Sequence, residues 1–134
     1  MMENDPYRNG NAAFQAAGGF EGLKQLTDDF YTLMDSRPEF EAIRSLHHED
    51  LALASEKLAL FLCGYFNGPN LYQEKYGQFR LAAFHQRIPI GSVERDLWLK
   101  CMTLALDKQP WDPALQEHAI QRLRTPAERC RNRP

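Results

Sequence analysis

Apolar residues recur along this chain at helical spacing and nowhere alternate with polar ones for more than about four positions, which predicts amphipathic helices and no strands. Leu23, Leu26, Phe30, Leu33 and Met34 share one helix face that must end before Pro38. Gly18-Gly19 separates this helix from a short first one, Asn11 to Ala17, because adjacent glycines favour a turn. Phe40 to Leu46 supports one or two turns. Leu51, Ala54, Leu58, Phe61 and Tyr65 then step along a helix capped by Asp50 and broken at Asn67-Gly68-Pro69. Residues 70–91 predict an irregular stretch, with Gly77, Pro89 and Gly91 around a short apolar piece from Phe79 to His85. Ser92 is expected to cap a helix with Trp98, Cys101, Met102 and Ala105 on one face. Asp112-Pro113 starts the last helix, and Thr125-Pro126-Ala127-Glu128 predicts a break near Arg124 with a brief restart. The expectation is an all-α single domain over residues 1–134, with a loose N-terminal extension (1–10) and a basic C-terminal end (126–134).

At 134 residues and 43% apolar composition, a packed core needs no disulfides. The longest apolar run, Leu58 to Phe66, falls well short of the ~18 residues of a membrane span. The acidic, polar start Met1-Met2-Glu3-Asn4-Asp5 holds no signal-peptide core. Cys63, Cys101 and Cys130 form no CxxC pair and leave an odd thiol, so a reduced, cytoplasmic setting is expected. A formal charge of −2 argues against a general nucleic-acid binder. That charge is uneven, because Arg122, Arg124, Arg129, Arg131 and Arg133 crowd the end of the chain. They read as a solvated last helical turn, where cations are favourable, rather than as a polyanion-binding tail.

Conventional catalytic signatures are missing. His47, His48, His85 and His118 stand in no HExxH or Glu-x-x-His motif, and the chain has no GxGxxG, GxxxxGKS or GxSxG. Taken singly, His85 reads as a buried histidine bonded to a carbonyl, Tyr31 as a core tyrosine and Trp98 as a core anchor. His48 and His118 read as solvated. None of them decides a function alone.

Their order does more. Gly18-Gly19 is followed by Phe30-Tyr31, His47-x-Glu49-Asp50-Leu51, Lys57-Leu58, Phe61-Leu62-x-Gly64-Tyr65-x-Asn67-Gly68-Pro69-x-x-Tyr72 and His85. Thirteen residues after His85 comes Trp98, within Glu94-Arg95-Asp96-x-Trp98-Leu99-x-Cys101-Met102. This set resembles the group II truncated haemoglobins, small bacterial globins with a shortened two-over-two helical sandwich, over roughly residues 12–125.

The resemblance implies a haem b cofactor with His85 as the proximal iron ligand, suited to a neutral imidazole whose other nitrogen donates to a carbonyl. It implies a distal pocket of Tyr31, Trp98 and His47, with His48 able to exchange roles with His47, and with Ala54 and Leu58 flanking the ligand. Phe30, Phe61, Leu62, Phe84, Ile88 and Met102 would pack the porphyrin. Lys57, Tyr65, Tyr72, Arg80 and Arg87 would meet its propionates. The chain departs from the family pattern at His48, where proline is frequent, and at Phe84, where a basic residue is frequent. The implied ligands are O2, CO and NO. NO dioxygenation or peroxide reduction would need a separate reductase, since no flavin or NAD motif is present. A monomer or weak homodimer is expected. The rival expectation is a haemless helical interaction or sensor domain on a globin scaffold.

Overall fold

The computed structural model describes residues 5–134, and no strand occurs among them. The helices are α1 (Ala12–Ala16), α2 (Gly19–Ser36), α3 (Glu41–Arg44), α4 (Leu51–Tyr65), α5 (Leu71–Tyr76), α6 (Leu81–His85), α7 (Ser92–Asp107) and α8 (Pro113–Cys130), with a 3-10 turn at Pro38–Phe40. α2 packs on α4, α7 packs on α8, and α2 also crosses α7. Two helix pairs therefore lie one over the other.

The spacing of apolar residues explains this packing. Leu23, Leu26, Phe30 and Met34 of α2 are fully buried against Leu62 and Cys63 of α4 and Cys101, Met102, Ala105 and Leu106 of α7. Each large side chain so buried is worth about 1.5–3 kcal/mol. Leu115, Ala119 and Leu123 add the α8 face. A polar tie fixes the α2–α4 crossing. The Ser55 hydroxyl donates to Asp28 Oδ1 at 2.6 Å, so Thr27 is the donor in the 2.8 Å contact between the two hydroxyls. At the α1–α2 corner Gly18 sits at φ +94°, and a Cβ on Gly22 would lie 1.6 Å from the Ala17 carbonyl oxygen. Only glycine allows that approach.

Four local expectations change. Residues 70–91 hold two short helices, α5 and α6, rather than irregular chain alone. Ser92 is the first residue of α7, and Gly91 precedes it; the Gly91 N–H is taken by Glu94 Oε1 at 2.6 Å. α8 runs unbroken through Pro126. Proline removes the N–H that would bond the carbonyl four residues back, and the Tyr65 hydroxyl donates to that Arg122 oxygen instead, at 2.5 Å. His118, expected in solvent, is 1% exposed. Its Nδ1 bonds Asp5 Oδ2 at 2.5 Å, and its ring packs near Tyr7 and Phe66.

Asp5 also accepts the Tyr7 backbone N–H, and the Tyr7 hydroxyl donates to Asp112 Oδ2. Burial opposes ionisation of Asp5, but the Tyr7 N–H and His118 outweigh it and hold the carboxyl below its ordinary range. Residues 1–4 of the expected extension lie outside the described residues. At the other end, Arg122 donates to the Tyr65 carbonyl at 2.7 Å and lies over the Tyr65 ring, while Arg131 pairs with Glu128. These two arginines are structural ties rather than a solvated fringe. No described helix is long and apolar enough to cross a membrane.

Candidate functional site

One face of α4 is unfinished. Ser55, Ala59, Leu62 and Cys63 are buried, whereas the stripe Leu51, Ala54, Leu58, Phe61 and Tyr65 stays only half-buried. α4 packs on α2 and α5, and α6 packs on α8. Between α4 and the start of α6 is a cavity of about 410 Å3, whose lining includes Phe61, Tyr65, Phe79, Leu81 and Pro126. Of that stripe Phe61 and Tyr65 line the cavity, and a half-buried apolar helix face beside such a gap is a surface for something flat and apolar.

His85 closes α6 at the edge of this region. Its Nδ1 lies 2.8 Å from the Leu81 carbonyl oxygen. A carbonyl only accepts, so Nδ1 carries the hydrogen and Nε2 keeps its lone pair. His47 has the same arrangement, with Nδ1 2.8 Å from the Ile43 carbonyl oxygen. Burial pushes its pKa down; the Ile43 bond opposes this, and the nearby charges of Arg44 and His85 add to the fall. His47 is therefore neutral near neutral pH and stands close to His85. Of the two adjacent histidines, His47 lies against Tyr31, with ring centroids 5.6 Å apart. His48 is exposed, and its Nδ1 accepts the Asp50 N–H.

Tyr31 is buried on α2, yet among the described residues its hydroxyl has no hydrogen-bond partner. Burial, with the Cys101 thiol close by, pushes its pKa up, so the hydroxyl keeps its proton. Phe30 joins Tyr31 to Trp98 through edge-on contacts at 4.9 and 5.1 Å. Phe30 itself is fully buried, and its carbonyl accepts the Cys101 S–H at 3.4 Å. Trp98, Phe30, Tyr31 and His47 thus form one aromatic chain drawn from three separate parts of the sequence.

A second aromatic chain runs along the cavity. Phe61 stacks on Tyr65 and meets Phe79 edge-on, and Phe79 touches Tyr72 and Phe84, which abuts His85. Phe79 was not among the site candidates; its place in the apolar piece before His85 was the available signal. Phe84 is 58% exposed, a high value for phenylalanine. Leu62 and Met102 have no exposed surface and back the walls instead of forming them. The Tyr65 hydroxyl is spent on α8. Lys57 lies over the Tyr76 ring at 5.1 Å; Arg80 and Arg87 are exposed, and Tyr72 and Ile88 half-buried. No cluster of three metal-ligating side chains occurs among the described residues.

The bacterial-like globin family model matches residues 12–132. The fold is similar to the group II 2-on-2 haemoglobin of Agrobacterium tumefaciens, at 35% identity, TM-score 0.85, and 91% and 95% of the two chains covered. It is also similar to the group II truncated haemoglobin of Bacillus anthracis (31% identity, TM-score 0.82, 91% and 92% covered). A third similarity is to the truncated oxygen-avid haemoglobin of Bacillus subtilis (33% identity, TM-score 0.81, 90% and 98% covered).

Proposed function

The chain belongs to the bacterial-like globin family, with group II truncated haemoglobins among its structural relatives, and on that premise we propose that it binds haem b and, through it, O2 and other diatomic ligands such as CO and NO. The observation that carries the reading is the tautomer of His85. Its Nδ1–H is held by Leu81, and its Nε2 lone pair has no partner among the described residues. A lone nitrogen donor beside an unfinished apolar helix face fits a planar cofactor that brings its own metal and most of its ligands. It does not fit a metal held by protein side chains alone, which needs a donor cluster.

Haem supplies an iron centre that takes up diatomic ligands reversibly. The chain's residues do the rest. His85 would hold the group's iron through Nε2, and the Leu81 carbonyl fixes the ring's orientation and raises its basicity. Phe61, Leu58, Phe84 and Ile88 give the flat group an apolar bed, with Phe30, Leu62 and Met102 behind it. Ala54, small and half-buried, leaves an approach beside Leu58. Tyr31 O–H and the Trp98 indole N–H are the hydrogen-bond donors for a polar diatomic ligand, and such donors act strongly where water is scarce. His47, protonated at Nδ1, presents an acceptor lone pair at Nε2, so it can take a hydrogen bond from water and gives none to the ligand. Lys57, Arg80 and Arg87 make no ion pair among the described residues and are available, with Tyr72, to the propionates.

Two donors directed at one ligand would slow its release, which suits sensing, scavenging or redox detoxification better than bulk delivery. The oxygen-avid relative supports this direction. Conversion of NO or peroxide would draw electrons from a separate reductase. The free thiols Cys63, Cys101 and Cys130 suit a cytoplasmic setting. The test is spectroscopic. Purified protein should be red, with a Soret band that shifts when CO is added to the reduced form, and His85→Ala should lose its haem. A colourless product that takes up no added haem would overturn the reading in favour of a haemless interaction domain.

A further inference from the structure

We propose that Asn132 is a positioning residue for the His85 imidazole, acting through the loop 86–91; the inference rests on His85 being the axial ligand. The His85 carbonyl takes the Ile88 N–H at 3.0 Å and has a second lone pair free of the helix, and the loop that follows must turn at once into α7. Asn132 supplies both demands from one side chain. Its Nδ2 hydrogens go to the His85 carbonyl at 3.1 Å and the Ile88 carbonyl at 2.8 Å. Its Oδ1 accepts the Ile90 N–H at 3.0 Å. The backbone N–H groups of Asn132 and Arg133 both donate to the Ile90 carbonyl, at 2.8 and 3.0 Å.

Only a primary amide offers two donors and an acceptor in one plane. Asparagine is the side chain that does so at this reach. The terminal segment is itself anchored. Arg131 donates to both Glu128 oxygens, and Arg95 of α7 donates to Glu128 Oε1 at 2.7 Å. These two guanidinium partners hold the Glu128 carboxyl down at about 2, so the anchor persists across the working pH range.

His85 is thereby gripped at two points. Leu81 holds the ring through Nδ1, and Asn132 holds the backbone carbonyl of the same residue. Releasing the second grip leaves the ring bonded but lets its Cα rock with the loop. The end of the chain, whose arginines read from sequence as a solvated last helical turn, becomes the brace of the His85 loop.

Asn132→Ala removes all three side-chain bonds. Asn132→Asp keeps the size and the acceptor for Ile90 but turns a carboxylate toward two carbonyl oxygens. In the haem-free protein, both variants should speed amide hydrogen exchange at Ile90 and its loop neighbours. In the haem-loaded protein they should broaden and shift the iron–histidine stretching band of the ferrous state. Haem transfer to an excess of scavenging apoprotein should quicken by roughly tenfold, the usual scale for losing a ligand's supporting contact. The melting temperature should move little. Faster exchange with an unaltered stretching band and unaltered haem loss would reduce Asn132 to a loop tie and overturn the proposal, as would unaltered exchange. If His85→Ala also keeps its haem and Soret band, the axial-ligand assignment falls first.

Discussion

Replacing Tyr65 by phenylalanine tests the way α8 crosses its internal proline. The ring contacts survive: the phenyl ring can still stack on Phe61, whose centroid is 5.5 Å away in the parent, and lie beneath the Arg122 guanidinium, which stands at 4.8 Å. What is lost is one hydroxyl whose only role in the structure is to donate to the Arg122 carbonyl at 2.5 Å. That carbonyl has no helical donor, because residue 126 is proline. A hydrogen bond between two such groups nets about 1 kcal/mol, and stranding the acceptor raises the loss toward roughly 1–3 kcal/mol. For a domain of this length each kcal/mol is worth roughly 4 °C of melting temperature. We expect Tyr65→Phe to melt about 4–12 °C lower, measured by circular dichroism on haem-free protein and checked by urea denaturation. The decisive arm is a double-mutant cycle with Pro126→Ala, which restores a backbone N–H to the Arg122 carbonyl. Tyr65→Phe should then cost much less, with a coupling of about 1 kcal/mol. Additive effects would refute the reasoning, since they would mean that the hydroxyl and the missing N–H do not share an acceptor.

Two further outcomes follow from buried histidines. Burial depresses the pKa of His47 in the folded chain, so the unfolded chain binds a proton at higher pH and stability falls as pH drops through about 6.5. His47→Phe, which keeps an aromatic ring against Tyr31, should flatten that fall in denaturant midpoints measured at about pH 7.5 and 5.5; a slope equal to the parent's would count against it. His118→Ala should cost about 2–4 kcal/mol, by emptying a sealed space and stranding Asp5. Its Soret maximum should nevertheless match the parent's, because His118 stands with Asp5, Tyr7 and Phe66, away from the His85 loop; a shifted band would contradict that placement.

Much of the architecture is legible in spacing. The Leu23–Met34 stripe marks the buried face of α2, and the Leu51–Tyr65 stripe marks a face of α4. Yet the same periodicity describes both, and it cannot say that the first is covered while the second stays half-buried, with Phe61 and Tyr65 on a gap. The α8 break was expected because Thr125-Pro126-Ala127-Glu128 is a helix-start pattern when read locally. It fails because a tyrosine 57 positions before Arg122 stands in for the missing N–H. His118 reads as solvent-facing from its place on the last helix. Its partner, Asp5, lies 113 residues away.

The sequence by itself determined the long helices α2 and α4, the glycines and prolines that bound them, and which side chains have the chemistry for the site: a histidine closing a short apolar stretch, a tyrosine and a tryptophan on long helices. These follow from spacings of three and four residues, within one helix turn. Only the tertiary structure decided which atoms of those side chains are free to act. The Tyr65 hydroxyl is committed to Arg122 and the Asn132 amide to the loop behind His85, whereas Nδ1 of His85 is fixed within its own helix by Leu81. Hydrogen bonds are directional and close over distances unrelated to sequence separation, so each donor is assigned only when the helices are packed.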